Sequence, residues 1–279
     1  MKHYKRLAIK TKYWKPGEDH VAIIVEALEG KIKEGDFVVV SEKAISTATG
    51  NIVDESTVRS CFTAMVLAKY WMRYVWAYVL GPLCHLRKKT ISHFRNYPVK
   101  EGGAHKQTAL QHGGFLQALR HSSEGGIDVS NLPYSYASLP LKNAHHITET
   151  IRKGIESGLD KSVSVLIVDT DRTYSWRNFH FSPRPNPMEG IQYAGGIIAY
   201  VFGRVLRLKK RATPLAVTGT KISIEEALKI AELANRARGG GAGRTLWKMA
   251  AAFNVTLTNV SLKMLENAEH KPITIVRRI

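Results

Sequence analysis

Two short segments place acids beside groups that suit anions. The apolar run 165–168 reads as a buried strand ending in Asp169-Thr170-Asp171, two carboxylates with a hydroxyl between them. Open α/β sheets gather ligands beyond the carboxyl ends of their strands, and oxygen donors of this kind suit a hard divalent cation. Arg172, Trp176 and Arg177 follow, with charge to hold a phosphate or a carboxylate. The plainer alternative is that Asp169 and Asp171 cap the next element and pair with those arginines. In the second segment, GGIDVSN at 125–131, paired glycines allow the backbone close to a ligand. Asp128 and Asn131, three apart, could face one bound group, although an Asx-type turn accounts for the same residues.

A third segment, GDFVVVSEKAISTATG at 35–50, runs a strand into Ser41, Glu42 and Lys43 and then a turn of small residues. Hydroxyls, backbone N–H groups and a lysine after a strand can cradle nucleotide phosphates. The spacing is not that of a Walker A loop, and neither is that of GGGAGRT at 239–245. The glycine run reads first as a hinge, and second as a grip on phosphate through Arg244 and Thr245. His112, His121, His145 and His146 match no zinc spacing and read as surface or structural groups. No Gly-x-Ser-x-Gly supports a serine nucleophile. Cys61 and Cys84 sit in apolar stretches and read as small hydrophobes of a reducing cytosol.

Positioning these groups requires a layered frame. Apolar, β-branched runs alternate with helical periodicity, which predicts a mixed α/β fold. Strands are expected at 6–12, 37–41, 164–169, 197–202, 214–218 and 273–277. Helices are expected at 20–28, 56–80, 144–157, 223–236, 245–253 and 261–268, with Ser223 and Glu226 forming a capping box. Glycine and proline mark loops at 101–104, 122–126, 181–187 and 239–243. A boundary near 210 would divide a main nucleotide- and metal-binding domain, 1–210, from a C-terminal α/β segment, 211–279, that completes the site.

The chain carries 41 Lys and Arg against 23 Asp and Glu, a formal charge of +18, while its apolar share of 44% is ordinary for a globular protein. Such an excess favours encounter with anions. The bases are spread along the sequence, clustering only at 85–89 and 204–211, which points to pockets for small anions and away from nucleic acid. No apolar stretch near the N-terminus is long enough for a signal peptide, so a cytoplasmic protein is expected. Residues 62–83 are long enough to span a bilayer. Lys69 and Arg73 at their centre would each cost about 2.5–3.5 kcal/mol on insertion scales. A buried or subunit-interface helix is expected there, with a membrane-surface helix as the alternative.

Taken in order, these motifs resemble the family of coenzyme F-420 gamma-glutamyl ligases. GDFVVVSEKAISTATG is similar to the family's early strand and turn, HGGFLQALRHSSEGGIDVSN to its central GIDxSN motif, and VLIVDTDRTYSWR to its strand-end Asp-Thr segment with an aromatic-Arg pair; LKMLENAEHKPITIVRR is similar to its closing helix and strand. The resemblance implies an unusual α/β fold, an intertwined homodimer, and a GTP-dependent enzyme using Mg²⁺ or Mn²⁺, with K⁺ as a further cation. GTP would phosphorylate a carboxylate of an anionic deazaflavin, and the amine of L-glutamate would displace phosphate to form a gamma-glutamyl amide. By the same resemblance Asp128, Asp169, Thr170 and Glu266 would hold the metal. Asn131, Ser41, Glu42, Lys43 and the turn Tyr13, Trp14, Lys15 and Pro16 would contact the nucleotide, and Asp128, Asp169 and Arg177 would form the catalytic set.

The sequence departs from the family pattern at several places. Thr47 stands where the family carries a lysine, the segment after Asp169 lacks the usual Gly-Arg, and 70–97 and 239–260 look inserted. The departures touch the substrate contacts more than the metal positions, so a member acting on another carboxylate is the first alternative. A basic nucleotide- or nucleic-acid-binding protein without catalysis is the second.

Overall fold

A computed structural model describes residues 3–279, and its centre is the pairing of the two most apolar runs of the sequence. β2 (Phe37–Ser41) lies parallel to the first half of β5 (Ser164–Trp176). Both are buried on both faces, as continuous apolar strands of a parallel pair must be. Along the other edge of β2 runs antiparallel β9 (His270–Arg278), which carries β1 (Tyr4–Thr11) at the sheet margin. Antiparallel to β5 on its other edge lies β8 (Lys209–Thr218). β6 (Phe179–Ser182) and β7 (Gln192–Tyr193) continue the sheet from the far end of β5, while β3 (Ile52–Asp54) and β4 (Tyr136–Ser138) form a separate ribbon.

The two faces of the sheet take different helices. Helices His20–Leu28 and Ala144–Leu159 bury Ile24, Leu28, Ile151 and Ile155 against Val38, Val40, Val165 and Ile167. Helix Ile224–Arg238 buries Ile230, Ala231 and Ala234 against Phe37, Val39, Leu166 and Val168 on the opposite face. Half of the expected capping box is present: the Ser223 hydroxyl accepts from the Glu226 N–H at 3.2 Å, while the Glu226 carboxylate turns to Tyr4 and Arg278. The mixed α/β architecture is therefore as expected, with most predicted boundaries displaced only slightly.

Five local expectations are corrected. Residues 197–202 are β-branched and aromatic but form helix Ile197–Val205, because the buried positions Ile197, Tyr200 and Gly203 recur at helical spacing while Ile198 and Phe202 face outward. Residues 101–104 are no loop: they lie within helix Val99–His112, where Gly102 serves close packing, since a Cβ there would overlap the ring of Tyr97. The predicted helix 56–80 divides into a short turn at Glu55–Thr57, a helix Phe62–Val66 and a π-helix Leu67–Leu80. The small residues after Ser41 form helix Glu42–Ala48 rather than a turn. Cys61 is exposed and caps a helix start, whereas Cys84 is buried as expected.

The π-helix buries Leu67, Ala68, Met72, Trp76 and Ala77 and leaves Tyr70, Tyr74 and Tyr78 stacked on its outer face. Among the described residues, no helix is long and apolar enough to cross a membrane.

Candidate functional site

A gap beside β5 creates the site. β2 stops at Ser41, opposite Val168, and β6 joins only where Tyr174 pairs with Phe181, so this edge of β5 is open from Asp169 to Thr173. On the other edge the register against β8 slips between Asp169 and Arg172, which makes Thr170 and Asp171 the extra residues of a bulge. Bulges of this kind re-aim side chains and recur beside active sites. The acidic motif is thus an irregularity within a long strand, not the end of a short one. Above the gap lies a cavity of about 730 Å³, lined by Ser41, Glu42, Lys43, Asp128, Asn131, Asp169, Thr170, Arg238 and the glycine run after it.

Buried arginines organise the acids. Arg184 is 1% exposed and reaches both Asp169 at 2.7 Å and Glu42 at 2.5 Å. Gly126 makes room for it: its φ is +101°, and any Cβ would overlap the guanidinium. Burial pushes the Glu42 carboxyl up to about 7, with Arg184 opposing and Asp169 adding to the rise. Burial acts the same way on Asp169, but Arg184 overrides it and leaves that carboxyl below its ordinary value. Asp171 turns away from the gap and takes a two-pronged pair from Arg120, both contacts at 2.7 Å.

Lys43 bridges the second acidic group. Its ammonium lies 2.5 Å from Asp128 and donates to the carbonyl and hydroxyl of Ser130. The other oxygen of Asp128 accepts from the Ser130 N–H, so the Asx turn is present as well. Asn131 does not point into solvent: its amide donates to the carbonyls of Gly240 and Gly243 and pins the glycine run to the cavity wall. Tyr13 in turn donates to the Asn131 carbonyl at 3.0 Å.

The donor set does not fit a protein-held divalent cation. Asp128 and Asp169 line one cavity with the Thr170 hydroxyl, but Lys43 and Arg184 already neutralise them. Glu266 does not join them, because its carboxylate pairs with Lys15 at 2.5 Å. Among the described residues, no three Asp, Glu, His or Cys side chains are arranged to hold a metal ion.

A buried charge cluster supports the loop that carries Asp128. Lys106, fully buried, donates to Glu124 at 2.8 Å and to the Arg120 carbonyl, while His105 sits between Glu55 and Glu124. Burial disfavours the His105 imidazolium, but the two glutamates raise its pKa to about 10. A folded-state pKa above the ordinary 6.5 means that this contribution to stability is complete below pH 6.5 and is lost as the pH climbs through about 10. Denaturant midpoints measured across that window are expected to fall, and the His105→Gln protein should lack that part of the slope. An unchanged slope in the variant would count against the assignment.

Of the other expected site residues, Tyr13 and Trp14 line the cavity, and Trp14 is fully buried with its indole N–H on the Thr11 hydroxyl. Lys15 and Pro16 are exposed outside it. Arg177 occupies the exposed turn between β5 and β6, in the left-handed region with φ +53°, away from the cavity. The arginines that do the pairing are Arg184 and Arg120, not Arg172 or Arg177; Arg172 is held by Glu232 at 2.7 Å. Arg184 was hidden in a proline-rich stretch that reads as a loop, and Arg238 at a helix end before glycines; neither has a local signal beyond charge.

A second cavity of about 690 Å³ shares His121, Ser122, Thr245 and Trp247 with the first. Its lining includes Arg87, Lys89, Arg204, Arg207, Lys210 and Lys248, and neither Asp nor Glu.

A family model described as F420-0:Gamma-glutamyl ligase matches residues 8–242. An uncharacterized protein of Methanocaldococcus jannaschii, MJ1361, is 35% identical over 281 residues, which covers 96% of this chain and 94% of the relative. The family match takes in both acidic motifs and the glycine run to Ala242, and it ends before Glu266.

Proposed function

The chain belongs to the F420-0:gamma-glutamyl ligase family, and from that premise we propose that it is a cytoplasmic, homodimeric ligase joining L-glutamate to a carboxylate of an anionic deazaflavin at the expense of GTP. The observation that carries this reading is the cavity itself. It has the volume of a small-molecule site, and Lys43, Asp128, Asn131 and Asp169, four of the residues the family resemblance picks out, share its lining.

The chemistry has two displacements. A carboxylate oxygen of the acceptor attacks the terminal phosphorus of GTP, forming an acyl phosphate and releasing GDP. The neutral amine of glutamate then attacks the acyl carbon, the amide bond forms, and inorganic phosphate leaves with the bonding pair; the ammonium proton is released to water. Charge accumulates on phosphate oxygens in the first step and on the carbonyl oxygen in the second. Preorganised cations near those atoms are the main lever a protein has on such a reaction. The expected Mg²⁺ or Mn²⁺ meets no open carboxylate pair here, so binding and orientation fall to the chain's own residues. The acid-free second cavity supports an acceptor with a second anionic group at its far end. Thr47, whose hydroxyl is turned back onto the Lys43 carbonyl, favours an acceptor that differs from the usual family substrate as the second reading.

Phosphate release from GTP should require both the deazaflavin acceptor and L-glutamate, and the product should gain the mass of one or more glutamyl residues. Lys43→Ala should lower kcat/KM by about 10²–10³, the typical effect of removing one preorganised charge-stabilising group. Release that ignores glutamate, or a Lys43→Ala enzyme of full activity, would sink the reading.

A further inference from the structure

Arg238 ends helix Ile224–Arg238 and lines the cavity, yet no carboxylate lies within ion-pair distance of it among the described residues. Its one hydrogen bond among the described residues is a long one, 3.3 Å to the side chain of Asn235 a turn earlier. The side chain is half-buried and shares the cavity lining with Asp169 and Asp128; burial pulls its pKa down to about 10 against the raising fields of those two acids. Neither acid pairs with it. Asp128 is committed to Lys43 and Asp169 to Arg184, and Arg184 is locked in place beneath Gly126.

Charge at this end of the cavity therefore closes without a metal. Glu42, Asp128 and Asp169 face Lys43, Arg184 and Arg238, and Arg244 also lines the wall, where Lys271 is paired with Glu269. A divalent cation entering between Asp128 and Asp169 would have to displace two ion pairs and then sit beside a third fixed cation. An anion meets the opposite situation: a guanidinium with free donors, Arg244 on the same lining, and a glycine run held against the wall by Asn131. Guanidinium and ammonium groups are well matched to phosphate oxygens.

We propose that Arg238 seats the phosphates of the nucleotide directly, in the charge-neutralising place where a carboxylate-lined site would hold a divalent cation, so that nucleotide binding by this chain needs no metal ion. This deepens the ligase reading, since it concerns the same cavity, but its test needs no turnover.

The test is calorimetric titration of inorganic tripolyphosphate and of GTP into the full chain, once in EDTA and once in excess Mg²⁺. Both ligands should bind in EDTA at least as tightly as in Mg²⁺. Arg238→Gln should weaken both by about tenfold or more, as expected for losing a charge-assisted contact. Arg238→Lys should recover part of the loss, and urea midpoints close to the parent's would show that both variants are folded. Binding that vanishes in EDTA and returns with Mg²⁺ would overturn the proposal on the parent protein alone, as would Arg238→Gln binding like the parent. Tripolyphosphate binding in EDTA without any glutamate-dependent phosphate release would leave this assignment standing and remove the ligase reading; release with binding only in Mg²⁺ would do the reverse.

Discussion

Arg184→Met should lower the unfolding free energy by about 3–5 kcal/mol, the usual result of removing one partner from a buried ion pair. The arginine serves two carboxylates at once, Glu42 and Asp169, in a place where water cannot replace it. Met fills much of the same volume, so the loss would come from uncompensated charge rather than from an empty hole. Glu42 is held up to about 7 even with the arginine opposing the rise, so in the variant, without that opposition, it should already take up a proton around neutral pH and recover part of the loss there. The sign follows from a folded-state pKa above the ordinary 4.5: the proton-linked contribution is complete below pH 4.5 and fades as the pH rises through about 7. Adding Glu42→Gln to Arg184→Met should restore stability, because it removes one of the stranded charges. Urea unfolding of the single and double variants measures this, and a loss under about 1 kcal/mol for the single change would contradict the network's role.

How much of this could be read from the sequence depends on the range of the interaction involved. The central strands were visible because runs such as FVVVS and SVLIV bury both faces and allow no polar alternation. Helix Ile224–Arg238 was visible through its cap and periodicity. Asp128, Asp169, Lys43 and Asn131 were found as local motifs, and the fold does bring them to one cavity. What stayed hidden was every pairing between distant residues. Arg184 joins Glu42 across 142 positions, and Arg120 joins Asp171 across 51. With 41 basic residues to choose from, charge type alone cannot say which arginine meets which acid. Glu266 failed to join the others for a related reason: a lysine already expected in the nucleotide turn, Lys15, claims it. The run at 197–202 points to a strand, yet β-branched residues favour strands only weakly, and packing of its buried face against neighbouring aromatics makes it a helix.

Lys106→Met is the complementary case, since Lys106 does not line the cavity, yet its loss should be felt there. Its ammonium is fully buried and ties Glu124 to the Arg120 carbonyl, so it fixes the turn that leads through Gly126 to Asp128. Burial alone would raise the Glu124 carboxyl; Lys106 first and His105 second reverse that and hold it well below the ordinary range. Without the lysine, Glu124 keeps only the His105 contact at 3.3 Å. A loss of about 3–5 kcal/mol is expected at neutral pH. The folded-state pKa of Glu124 is depressed, so the lysine's contribution is present above the ordinary 4.5 and is lost as the pH falls toward the folded value. The difference between Lys106→Met and the parent should therefore shrink in acid. A second effect separates this from plain destabilisation: in folded Lys106→Met protein, anion binding should weaken because the turn through Asp128 no longer sets Asn131 to hold the glycine run against the cavity. Adding Glu124→Gln should restore stability and binding together, since both losses have one origin in the stranded carboxylate. If stability returned while binding did not, the path from Lys106 through the turn to Asp128 would be the wrong account of how the loop is held.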